Sequence, residues 1–143
     1  MSSTESKAIA NKRIIRQVFD ALAEGQTQAM LDHLADDISF VVMGTGSWSR
    51  SYDGKAAVLC ELFAPLRARL AGQIVLTPLR LIAEDDHVVV QARGRNTTVD
   101  GKAYVNAYCN VIRLKEGRIK EWIEYCDTLL VETALGRPPA RGG

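Results

Sequence analysis

The sequence predicts an α+β fold in which helices come first and a meander of long antiparallel strands follows. Three observations carry this. Apolar residues recur at helical spacing from Ile15 to Leu22 and from Val58 to Leu70, whereas from Gln73 onward the repeat changes to period two. The period-two segments are separated by compact turns, Glu84-Asp85-Asp86, Asp100-Gly101 and Glu116-Gly117. A half-apolar sheet of this kind must bury one face, and the helices are the elements available to cover it.

Taken in order, Ile15, Val18, Phe19 and Leu22 predict a one-faced helix over Ser6 to Ala23, with Gly25 as its C-terminal stop. Thr27 is placed to cap a shorter helix carrying Met30, Leu31 and Leu34, ending near Asp36-Asp37. The β-branched run Ile38 to Met43 reads as a first strand. Gly44 to Gly54 is a loop, and a third helix follows in which Pro65 predicts a kink. Four long strands are expected, Gln73 to Ala83, His87 to Thr98, Ala103 to Lys115 and Arg118 to Asp127. No linker or repeat divides residues 1–143, so one domain is expected, with its core over about residues 11–131. The Gly-, Pro- and Arg-rich tail 136–143 is expected to be disordered.

Composition narrows the function classes. The chain is 47% hydrophobic and 24% charged, with 18 basic against 17 acidic residues, a balance that favours no polyanion partner. Its basic residues form no dense stripe, which speaks against nucleic acid. No apolar run approaches the ~20 residues of a membrane helix. Cys60, Cys109 and Cys126 contain no CxxC pair and the chain opens on a polar segment, so a cytoplasmic setting is expected. With His33 and His87 far apart, neither a metal nor another cofactor is expected.

The faces of the last two strands hold the candidate site. In the strand from Ala103, even positions place Tyr104, Asn106, Tyr108 and Asn110 in line, a mixture of aromatics and carboxamides suited to a pocket wall. The odd positions are small and apolar, and point to a second copy of the chain covering the convex sheet face. In the closing "EWIEYCDT", alternation puts Trp122, Glu124 and Cys126 on one face and Glu121, Tyr125 and Asp127 on the other. Glu124 and Asp127 share a cavity only if a bulge intervenes or the strand ends near Cys126.

The order of elements, together with "LADDISF", "YDGKAAV", "EGRIKEW" and "EYCDT", resembles the nuclear transport factor 2-like superfamily. Within it, the sequence is most similar to SnoaL-like, ketosteroid isomerase-related bacterial proteins, over about Asn11 to Val131. The resemblance implies a cystatin-like α+β roll: a cone-shaped, curved mixed or antiparallel sheet wrapped around three helices and enclosing a pocket. It also implies chemistry, but the known catalytic sets are incomplete in this chain. The positions of the ketosteroid isomerase base and oxyanion-hole residues hold Val42, Val18 and Asn110, of which only Asn110 still donates a hydrogen bond. Glu124 stands where limonene epoxide hydrolases carry a water-activating acid, while their supporting first-strand residues fall at Phe40 and Val42.

These readings give Glu124, Asp127 and Asn110 as catalytic candidates, with Trp48, Tyr52, Asn106, Tyr108, Trp122, Cys126, Phe40 and Val42 as ligand-binding candidates. A small hydrophobic ligand is the expected partner. Burial beside Trp122 would raise the Glu124 pKa toward working pH, as proton transfer on a carbonyl or epoxide compound requires. The competing reading is a carboxylate satisfied within a binding or association domain. Asp127 with Thr128 also suits a purely structural strand end, and Trp48 and Tyr52 equally suit a cavity cover or packing on a helix edge.

Overall fold

The computed structural model describes residues 6–140. Helix α1 spans Lys7–Ala23, starting at Ser6, whose hydroxyl accepts the Ile9 amide at 3.2 Å. It stops where Gly25 takes φ +76°, and a Cβ there would collide with Gln73. Its buried stripe is Ile15, Val18, Phe19 and Leu22.

Helix α2, Gln28–His33, ends earlier than expected, because Leu34 is already extended and opens strand β1, Leu34–Val42. The reason lies in burial. Leu34, Ile38, Phe40 and Val42 are buried while Asp36 and Asp37 face solvent, a strand-like division that a longer helix would destroy. The predicted loop 44–54 contains a further strand, β2 (Arg50–Asp53), paired antiparallel to β1.

The third helical region is composite: α3 (Lys55–Ala57), a π-helical turn (Val58–Phe63) and α4 (Ala64–Arg69). In the wide turn the Ala64 amide donates to the Leu59 carbonyl, five residues back. Pro65 has no amide to donate and its ring would strike the carbonyl of Glu61 in a regular helix, so a widened turn replaces the expected kink. The result aims Leu62 and Phe63 into the interior, where both are buried.

The remaining elements are β3 (Leu70–Ala71), β4 (Leu76–Glu84), β5 (His87–Gly94), β6 (Asn96–Thr98), β7 (Ala103–Tyr104), β8 (Ala107–Lys115), β9 (Arg118–Cys126) and α5 (Thr128–Leu135). Two predicted long strands are therefore broken, at Arg95 and at Val105-Asn106. The broken-off ends, β6 and β7, join β3 in a three-stranded sheet ordered β3-β6-β7, beside a six-stranded sheet ordered β2-β1-β9-β8-β5-β4. The larger sheet is mixed, since β1 runs parallel to β9. Gly94 marks the first break. A Cβ there would lie 3.0 Å from Tyr108 and 3.2 Å from Leu76, so glycine is what lets the Tyr108 ring lie against the bend.

Helix α5 was not foreseen from the sequence, and it changes the role of Asp127. The start of the tail is also anchored: the Gly136 carbonyl accepts Trp48 Nε1 at 2.7 Å and the Arg137 carbonyl accepts Arg69 Nη2 at 2.8 Å. Residues 141–143 lie outside the described residues. The architecture is a curved, unclosed sheet with helices packed on its concave side, where Phe19, Phe40, Val90, Ile112 and Trp122 meet in the core.

Candidate functional site

The concave face of β8 and β9 builds the site from a stack of aromatics. Trp122 lies between Phe40 at 5.4 Å and Phe19 at 5.7 Å, both stacked on it, and Phe63 meets Phe40 edge-on at 5.8 Å. Trp122 Nε1 donates to Asn110 Oδ1 at 2.9 Å, which fixes the indole and the carboxamide together. Around this stack the interior opens into two adjoining lobes, each of about 60 Å³. Phe40, Phe63, Leu66, Tyr104, Tyr108 and Glu124 line both.

Among the described residues Glu124 is the one acid on the lobe walls. Burial pushes its carboxyl up to about 7, and no positive charge or hydrogen bond among the described residues holds it down. Both protonation states are then populated near neutral pH. Facing it are two tyrosines. Tyr108 donates to the Tyr104 hydroxyl at 3.2 Å, and Asn106 Nδ2 donates to the same oxygen at 3.3 Å. Tyr104 oxygen thus accepts twice, which leaves its own proton for a third partner. Burial pushes Tyr104 up to about 12 and Tyr108 well above its ordinary range, so both remain neutral donors.

The structure divides the residues singled out in the sequence. Glu124, Tyr108 and Phe40 line both lobes, Trp122 lines one, and Val42 and Trp48 line the other. Trp48 is buried in that wall. Five candidates are placed off the walls. Tyr52 is buried with its hydroxyl on the Trp48 carbonyl at 2.8 Å, and so supports the wall from behind. Asn106, 1% exposed, spends its amide on the break between β7 and β8: Oδ1 accepts the Ala107 and Asp127 amides, and Nδ2 also reaches the Asp127 carbonyl.

Asn110 stands opposite Glu124 across the β8–β9 ladder but is 1% exposed and lines neither lobe, with Nδ2 buried and unpartnered. Cys126 is half-buried outside the lining, its thiol pushed up to about 12 by burial and by the charges of Glu124 and Asp127. Asp127 is exposed, and its Oδ1 accepts the Leu129 and Leu130 amides at 3.1 and 3.2 Å as the N-cap of α5. The strand does end at Cys126, and the carboxylate that follows it caps α5 and lines neither lobe. Tyr104 is the residue the sequence reading passed over. Its place on the even face of the strand was visible, while the bend that brings it over Glu124 was not.

Among the described residues no group of three or more His, Cys, Asp or Glu side chains is placed to hold a metal ion. No described helix is long and apolar enough to cross a membrane.

The profile of SnoaL-like domains matches residues 15–122, which covers the aromatic stack and extends to the strand carrying Glu124. The chain belongs to the SnoaL-like domain family. No curated protein matches the sequence. Solved structures share the SnoaL-like domain's fold at low identity. A protein from a soil-derived mobile gene cassette superposes with a TM-score of 0.79 at 19% identity, covering 91% of this chain and 99% of its own. A candidate SnoaL-like polyketide cyclase from Jannaschia sp. gives 0.75 at 17%, covering 97% and 100%. TerC, co-crystallised with polyporic acid, gives 0.73 at 20%, covering 87% and 97%.

Proposed function

We propose that this SnoaL-like domain binds a small, largely apolar carbonyl compound and moves a proton on it, with Glu124 as the acid/base. The observation that carries the reading is a buried carboxyl at about 7 on the wall of an aromatic cavity, across from an available tyrosine O–H. In the ionised state Glu124 takes a proton from the carbon next to the carbonyl. The electron pair moves to the carbonyl oxygen, which accepts the Tyr104 proton as a hydrogen bond, and Glu124 returns its proton to the same or a conjugated carbon. Tyr104 takes the polarising role, with Tyr108 and Asn106 holding its oxygen in place. Small-ligand capacity agrees with the neighbour TerC, which was co-crystallised with polyporic acid.

The test uses 2-tetralone, whose α-protons are acidic and whose body is flat and apolar. Its exchange in heavy water, followed by proton NMR, is expected to be accelerated by the native protein and slowed about 100-fold or more by Glu124→Gln. Equal exchange with both proteins sinks the catalytic reading. The small size of the lobes favours a second reading, in which the same cavity holds a ligand without turning it over. We also place the protein in the cytoplasm as a homodimer joined through the convex sheet face.

A further inference from the structure

The cavity has a chemically distinct end. Thr27, Arg67 and Ile74 line the lobe that Trp122 also lines and, with Gly25, Gly72 and Gln73, a polar depression on the surface, so this lobe approaches solvent at these residues. Arg67 follows Phe63 and Leu66 on the helix that roofs the lobe, and is exposed where they are covered. Its Nη2 donates to Thr27 Oγ1 at 3.1 Å, across from α4 to the start of α2. Thr27 stands at the N-cap position of α2 but makes no cap hydrogen bond, so its hydroxyl serves the arginine instead of its own helix.

This contact joins a charged donor to a neutral acceptor. Among the described residues no carboxylate pairs with Arg67, and neither the lobe nor the depression has an acid near this end, since the lobe's one acid, Glu124, sits on β9. An anionic oxygen makes a shorter and stronger hydrogen bond to guanidinium than a hydroxyl does, and displacing Thr27 leaves its O–H free to donate to the same anion.

We propose that Arg67 and Thr27 form the recognition site for an anionic group, so that the ligand is an aromatic or alicyclic carboxylate whose charge stays at the mouth while its apolar body enters the lobe. This rests on the proposed use of the cavity for a small ligand and narrows the substrate class. It places the charged end of the ligand at the opening and the reacting end toward Glu124, so that one residue selects and another reacts.

The probes are 2-naphthoate and its methyl ester, titrated calorimetrically at about pH 6, where Glu124 holds its proton and does not repel an anion. The native protein is expected to bind the acid about tenfold more tightly than the ester. Arg67→Ala should bring the two within about twofold by weakening the acid alone, and Arg67→Lys should keep part of the preference. Equal affinities for acid and ester, equal losses of both in Arg67→Ala, or no binding of either overturns the proposal. The acid–ester comparison reads binding while the 2-tetralone test reads exchange, so a failed proton-exchange test leaves this result readable, and the reverse holds too.

Discussion

At the residue scale, Glu124 links the site to stability. Its carboxyl lies near 7 in the fold against an ordinary value of 4.5, with burial as the cause. Between those values the folded chain holds a proton that the unfolded chain has released, so stability must fall as pH rises. Over the whole window the loss is on the order of 3 kcal/mol, and it is complete above about pH 7. Glu124→Gln has no such proton to lose. Urea unfolding should therefore find the variant more stable than the native protein at about pH 8, with the difference shrinking toward zero by about pH 4. A difference that does not change with pH would mean that Glu124 is not desolvated in this way. The position was legible from alternation alone, since Trp122 and Glu124 share the inward parity of a strand ending at Cys126. Tyr104 was harder to find, because its value depends on where its hydroxyl lands after the chain bends at Val105-Asn106.

At the element scale, the misread segments are those where local pattern and tertiary pairing disagree. "TLLVETAL" follows a strand directly and is only eight residues long, too short to stand out as a helix even with three leucines, an alanine and a glutamate in it. The legible signal was Asp127, a strong N-cap residue directly before it. The same carboxylate cannot both cap α5 and serve the cavity, and this conflict gives a test. Asp127→Ala should cost about 1 kcal/mol in chemical denaturation, with Asp127→Ser recovering most of it, while 2-tetralone exchange per folded molecule stays unchanged. Asn106→Ala should cost more, because it strips partners from the Ala107 and Asp127 amides and from Tyr104 at once. A fall in exchange with Asp127→Ser at full folding would return Asp127 to the chemistry. Broken strands were invisible for a related reason: the period of two continues through Arg95 and Val105, and only the pairing of β6 with β3 shows that the sheet has divided.

At the scale of the whole molecule, the outward face of the larger sheet bears on assembly. The ladder registers align Val41 with Ile123, Ile123 with Val111, Val111 with Val89, and Val89 with Ile82. These residues form a continuous aliphatic row across β1, β9, β8, β5 and β4, with Ile82 54% exposed at its end. On one side of the row lie Tyr125, 43% exposed, and Cys109, and on the other Glu121, Arg113, His87 and Glu84. An apolar stripe with a charged margin fits a self-complementary contact, since a two-fold axis sets the stripe against its own copy and leaves acids and bases to pair at the rim. A stable contact needs about 800 Å² from each partner, more than the row alone supplies, so the flanking residues must take part. Light scattering after size exclusion at about 100 μM should give twice the 15.7 kDa chain mass. Ile123→Asp, in the middle of the row, should return it to the single-chain mass while the helical and sheet signals persist, because Ile123 points away from the core and the cavity. A native protein that runs at the single-chain mass, or an Ile123→Asp variant that stays paired, would show that this face is not the interface.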